Sequence, residues 1–176
     1  MTPLTLWFER AFAADYPVAL FPNLLSRLRG TIARVRVEGE ETPASVRTTA
    51  VGGKWSVQRN LAHLGDLEPL WNRRLDDLER GAEVLSAADL SNRRTEERDH
   101  DGRELEDVLR EFARERRSLV ERVARWSTDQ LERSALHPRL KQPMRAIDLC
   151  FFVAEHDDHH LARVAELREA FQAHSR

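Results

Sequence analysis

Apolar residues recur at intervals of three and four along four long stretches of this chain, the spacing of an amphipathic helix, and no stretch alternates convincingly as a half-buried strand would. The first, about Pro17 to Val37, places Phe21, Leu24, Leu25, Leu28, Ile32 and Val35 on one face. The second runs from Trp55 or Ser56 to Arg80, with Val57, Leu61, Leu64, Trp71, Leu75 and Leu78 in its stripe. Gly81 is its natural stop. The third, about Gly102 to Trp126, turns Leu105, Val108, Leu109, Phe112, Leu119, Val120 and Val123 inward. The fourth starts near Pro143, a favoured first-turn residue, and continues to about His174.

A shorter amphipathic piece, LTLWFERAF, precedes the first helix; its Trp7, Phe8 and Phe12 can cap the chain's own bundle or meet a second copy. The connections are long, roughly 17, 21 and 16 residues, within the usual uncertainty of helix ends. Loops beyond about 12–15 residues in a compact domain are functional or crossover segments, and extended chain covers about 3.3 Å per residue. The expected architecture is therefore all-α: a single four-helix-bundle domain over residues 1–176, with long crossover connections.

Composition adds limits. With 176 residues the chain can bury one sizeable core. Charged residues make up 33% and hydrophobic ones 41%, and the net charge of −2 supplies no electrostatic reason to expect a nucleic-acid partner. No apolar run approaches the roughly 20 residues of a membrane span, and MTPLTLWFERAF lacks the basic-then-apolar order of a signal peptide. A lone cysteine, Cys150, excludes an internal disulfide framework and suits a reducing compartment, so a cytoplasmic location is expected.

The fourth stripe is interrupted by chemistry. At about 100° per residue, His156 and His160 project within about 40° of each other, in the sector of Leu149, Val153, Val164, Leu167 and Phe171. Imidazoles are costly to bury without partners, and an i,i+4 pair aims two nitrogens at a common point, which a metal ion satisfies. His63, on the second helix beside Leu67 and Leu70, is the candidate third ligand. Three neutral imidazoles leave a coordination position open, the pattern of a catalytic rather than a structural zinc site. Nickel, cobalt or iron would accept the same ligands; zinc or nickel is expected first.

Tryptophan-serine with a histidine eight residues on (WSVQRNLAH), an acidic residue soon after (GDLE), a late HDDHH, and the opening LWFERAFAADYPVALFPNLLSRLRGT together resemble the DinB/YfiT-like superfamily of metal-dependent enzymes. The resemblance implies an up-up-down-down bundle and a three-histidine metal site, here His63, His156 and His160. It also implies a homodimer, because bundles of this family often pair. Members with assigned activity work with low-molecular-weight thiols, in bacillithiol- and mycothiol-dependent transfers and isomerisations, so a thiol cofactor and a small-molecule electrophile follow as expectations. Three functions stand open: thiol-dependent S-transferase, metal-dependent hydrolase, and non-enzymatic metal-binding stress protein.

Other residues carry weaker signals. His159, about 60° from His156, is a candidate substrate contact or partner of a ligand. Asp66, one turn from His63, can orient an imidazole by accepting its second ring N–H, and is better placed to do so than Asp157. Arg116 falls among Leu109, Phe112, Leu119 and Val123, where it can snorkel to the bundle end or bind an anionic substrate group. Asp66, Glu68 and Glu155 lie away from the ligand directions, so no fourth protein ligand is expected. His100, His137 and His174 are expected at the surface, Trp55 and Trp71 in the core, and Cys150 as a buried inert thiol.

Overall fold

The computed structural model describes residues 4–174, with side chains through residue 171. Helix α1 spans Phe21–Glu41, α2 Ala44–Arg47, α3 Val57–Glu79, α4 Arg93–Glu97, α5 Leu105–Val123 and α6 Thr128–Leu131. A two-stranded hairpin follows, β1 (Ser134–Leu136) pairing antiparallel with β2 (Pro143–Arg145), and then α7, Ala146–His174. The four long helices, α1, α3, α5 and α7, are the four predicted stripes. Ser56 caps α3 by accepting from the Arg59 amide at 2.9 Å, and Gly81, at φ +70°, ends the turn beyond it. Pro143, expected in the first turn of the last helix, instead pairs with Leu136 in the hairpin.

The four-helix bundle is present, but its helix directions differ from the expected up-up-down-down order. Arg27 pairs with Asp158 and Arg168 with Glu38, so α1 and α7 run parallel. Glu68 pairs with Arg116, and Asp76 and Glu79 with Arg122, so α3 and α5 run parallel. Asn60 meets His160 while His63 meets His156, which makes α3 and α7 antiparallel. The order is up-down-down-up. Only the middle connection, residues 80–104, runs the length of the bundle: it leaves the end of α3 and returns to its start, where Gln58 donates to the carbonyls of His100 and Arg103. The other two connections are long because they carry α2, or α6 and the hairpin, at one end of the bundle.

Core packing falls into two apolar clusters. One gathers Leu24, Leu28, Trp71, Leu75, Leu119, Val123, Ile147 and Val153; the other Val35, Leu61, Leu64, Leu109, Phe112, Leu161 and Val164. Along α3, α5 and α7 the residues between these clusters are polar: His63, Asp66 and Glu68, then Arg116, then His156, Asp157 and His160, all buried. A polar layer so enclosed must satisfy its own hydrogen bonds, and how it does so separates structure from chemistry. The N-terminal segment closes one side. Trp7 and Phe12 pack on Phe152, so the segment caps its own bundle, while Leu6 and Phe8 stay exposed. Among the described residues no helix is long and apolar enough to cross a membrane.

Candidate metal centre

His63 from α3 and His156 and His160 from α7 meet in the polar layer, each offering a nitrogen, and these ligand atoms all lie within 4.8 Å of one another. Ring centroids are 4.7 Å apart for His63 and His160, 4.6 Å for His156 and His160, and 5.4 Å for His63 and His156. Neighbouring hydrogen bonds set two of the tautomers. Thr95 donates its hydroxyl proton to Asp66 Oδ2 at 2.9 Å, so its oxygen accepts from His63 Nδ1, also at 2.9 Å. The Asn60 amide nitrogen donates to the carbonyls of Ser56 and Trp55, which turns its oxygen to His160 Nδ1 at 2.9 Å. In both rings the proton sits on Nδ1 and Nε2 keeps a free lone pair. His156 Nδ1 is buried with no hydrogen-bond partner.

Burial keeps all three imidazoles neutral. It pushes His63 down to about 4 against the pull of Asp66. His156 and His160 are driven well below the ordinary histidine value by burial first and by the neighbouring histidines second. Neutral imidazole is the ligating form. Two oriented lone pairs, a third ring with an unpartnered buried nitrogen and no carboxylate in the group make a donor set that fits a divalent transition ion.

Asp66 acts at one remove. It reaches His63 through the Thr95 hydroxyl, and it is itself held by His100 Nε2 at 2.8 Å and by Arg94 and Arg98. Burial works to raise its carboxyl, yet bonds from His100 and Thr95 hold it below the ordinary carboxylate range. His100 is therefore fully buried, not at the surface as expected, because the middle connection carries it back onto α3. Thr95 and His100 lie on a connection without periodicity and had no local signal; Asn60, one turn before His63 on α3, had one in its spacing.

Arg116 neither snorkels nor faces a ligand. Its fully buried guanidinium holds Glu68 Oε1 through Nε at 2.8 Å and Asp157 Oδ1 through Nη2 at 2.9 Å, tying α3, α5 and α7 together. Both expected roles fail because two carboxylates from neighbouring helices engage all three of its side-chain nitrogens inside the bundle. Burial lifts the Glu68 carboxyl to about 7 in spite of Arg116. Glu155 pairs with Arg10 and Arg27. None of the three nearby carboxylates closes the histidine site.

The histidines open onto a cavity of about 550 Å³. Trp7, Leu67, Leu70, Trp71 and Phe152 form apolar walls; His159, His137, Arg74 and Arg139 add polar ones. Trp55, expected in the core, is half-buried here, with its ring 4.8 Å from His63 and its Nε1 donating to Glu96 at 2.7 Å. His137 is buried too, contrary to the surface expectation, because the hairpin turn folds it against Phe152. His174 falls outside the described side chains. Cys150 is buried, and burial pushes its thiol up to about 12, an unreactive state.

A family profile described as the DinB superfamily matches residues 21–164. The chain belongs to the DinB superfamily. Among solved structures, YfiT from Bacillus subtilis is described as a probable metal-dependent hydrolase with an unusual four-helix bundle topology. It superposes on this DinB chain with a TM-score of 0.78 at 18% identity, covering 93% of this chain and 94% of that one. At that identity the likeness is one of fold. No curated protein sequence matches the chain. Within the DinB frame, the tryptophan-serine-histidine signature now has a local meaning. Trp55 lies on the His63 ring, Ser56 starts the helix, and both of their carbonyls aim Asn60 at His160.

Proposed function

We propose that this DinB protein is a metal-dependent enzyme acting on a small molecule, with His63, His156 and His160 as the ligands of one divalent transition ion, zinc or nickel first. The observation that carries this reading is the pair of hydrogen bonds fixing His63 and His160 with Nε2 free, beside a third buried imidazole and at the wall of a cavity. An ion held there supplies Lewis acidity, lowering the pKa of a bound thiol or water.

Thiol transfer is the first reading. The ligand set is wholly neutral, so an anionic thiolate is well matched to it, and the walls of Trp7, Trp71 and Phe152 suit an apolar electrophile. His159, whose Nδ1 is buried and unpartnered, is placed at the cavity to hold or accept a proton. Hydrolysis is the second reading, favoured by that same free base and by the description of YfiT as a probable metal-dependent hydrolase. Elemental analysis of the purified chain is expected to return one ion per chain. Turnover of electrophiles such as chlorodinitrobenzene or a monosubstituted epoxide only with added thiol supports transfer. Turnover of esters or amides without thiol replaces it with hydrolysis. Absence of bound metal after loading with zinc or nickel overturns both.

A further inference from the structure

The cavity has a second polar wall that the metal reading does not use. Arg74, on α3, is 2% exposed; its Nε donates to the Ser86 carbonyl at 3.0 Å and its guanidinium lies 5.4 Å from the Trp71 ring centre. Among the described residues no carboxylate stands within ion-pair distance of it, whereas the other fully buried arginine, Arg116, has two. His137, in the hairpin turn, is also 2% exposed. Its Nδ1 accepts from the amides of Arg139 at 3.3 Å and Leu140 at 3.1 Å, so the ring proton is on Nε2, which is buried with no partner. Arg139 Nη2 is likewise buried and unpartnered. All three residues line the cavity.

Unmatched buried donors of one sign are costly. The cost shows in the groups themselves: burial, with Arg74 and Arg139 adding, pushes His137 down to about 4. Burial, with Arg139 adding and Asp77 opposing, brings Arg74 down to about 10. The acidic groups at the cavity do not relieve this. Asp89 is engaged by Ser91 and the Arg93 amide, and Glu9 is exposed and makes no ion pair with either arginine. A bound anion would satisfy the Arg139 and His137 donors together.

We propose that Arg74, His137 and Arg139 form an anion subsite that holds a carboxylate or phosphate of the ligand, with the ligand's apolar body lying across Trp71 and Phe152 toward the histidines. Phe152 is 5.4 Å from the His137 ring centre and 6.1 Å from that of Trp71, and Trp71 is 5.7 Å from that of His156, so apolar rings bridge the two polar walls. This names the substrate class, small amphipathic anions, and in that respect rests on the enzyme reading; binding itself needs no metal.

The test uses the full chain, as purified and after chelation, titrated with 4-ethylbenzoate, 4-ethylphenyl phosphate and the neutral 4-ethylbenzyl alcohol, read by tryptophan fluorescence and calorimetry. In the chelated protein at least one anion is expected to bind about tenfold tighter than the alcohol, and the preferred anion identifies the head group. Arg139→Gln and Arg74→Gln are each expected to weaken that anion about tenfold while leaving the alcohol unchanged. Equal binding of alcohol and both anions overturns the subsite, as does unchanged anion affinity in the variants. If Arg74→Gln fails to fold, Arg139→Gln, whose side chain is partly exposed, decides alone. Metal content is measured in the same samples. Anion selectivity in a chain that takes up no metal after reloading with zinc or nickel leaves the subsite standing and removes the metal reading; metal uptake without anion selectivity does the reverse.

Discussion

Arg116 with its two carboxylates and the three histidines occupy the same polar layer between α3 and α7, both nearly cut off from water, yet they are built on opposite terms. The arginine cluster is charged, and three helices contribute complementary groups to it; its guanidinium pairs with Glu68 and Asp157 and lies over the Phe112 ring. The histidine cluster is neutral and held from outside by Thr95 and Asn60, with lone pairs left over and a cavity beside it. Burial alone therefore does not mark function. A buried polar group whose partners come from within the layer fastens helices, and one whose outward atoms are fixed while its inward atoms are free is prepared for a ligand.

Breaking the two clusters should have different consequences. Arg116→Leu leaves Glu68 and Asp157 buried without a counter-charge and should cost about 3–5 kcal/mol of stability. It is checked by urea unfolding, and a loss under about 1 kcal/mol would show that the carboxylates rearrange freely. His160→Ala should lower zinc affinity by about a thousandfold, since one of three ligands is gone, with the circular dichroism of the chelated protein unchanged. Retention of one tightly bound ion by this variant would remove His160 from the site. Thr95→Val cuts the link from Asp66 to His63 and should cost about 10–100-fold in metal affinity, measured by competition with a chelating dye; an unchanged affinity would make the link structural only.

Proton linkage separates the clusters more gently. The folded-state pKa of His63 and of His137 is depressed from 6.5 to about 4. The unfolded chain therefore takes up protons first on acidification, and the histidine contribution is fully present above pH 6.5 and lost as the pH falls toward 4. Glu68 has the opposite sign. Its pKa is raised from 4.5 to about 7, so its contribution is present below 4.5 and lost as the pH rises through 7. Chelated protein should lose stability between pH 6.5 and 4, and Glu68→Gln should steepen that loss by removing the opposing slope. A shallower slope in the variant would mean that Glu68 is ionised in the fold throughout.

The four long helices were legible in the chain because each buries a continuous stripe, and a 3.6-residue period records that burial residue by residue. His156 and His160 were legible for the same reason, as polar intrusions one turn apart on a buried face, and Cys150 as an apolar neighbour of Leu149 and Phe151. Local period holds no information about partners distant in sequence. The length of a connection does not say whether it crosses the bundle, so only one of the three expected crossovers is present, and the up-up-down-down order that the resemblance implied gave way to up-down-down-up. The surface expectation for His100 failed because the middle connection lays that residue against Asp66, and for His137 because the hairpin turns it into the cavity. Arg116 was visible as an anomaly, but its meaning depended on Glu68 and Asp157 arriving from two other helices. What the sequence determined by itself is the set of buried faces and the residues that interrupt them. Which interruptions cancel each other and which stay open to a ligand was decided only by tertiary packing, because hydrogen bonds and ion pairs between helices join residues that no local pattern connects.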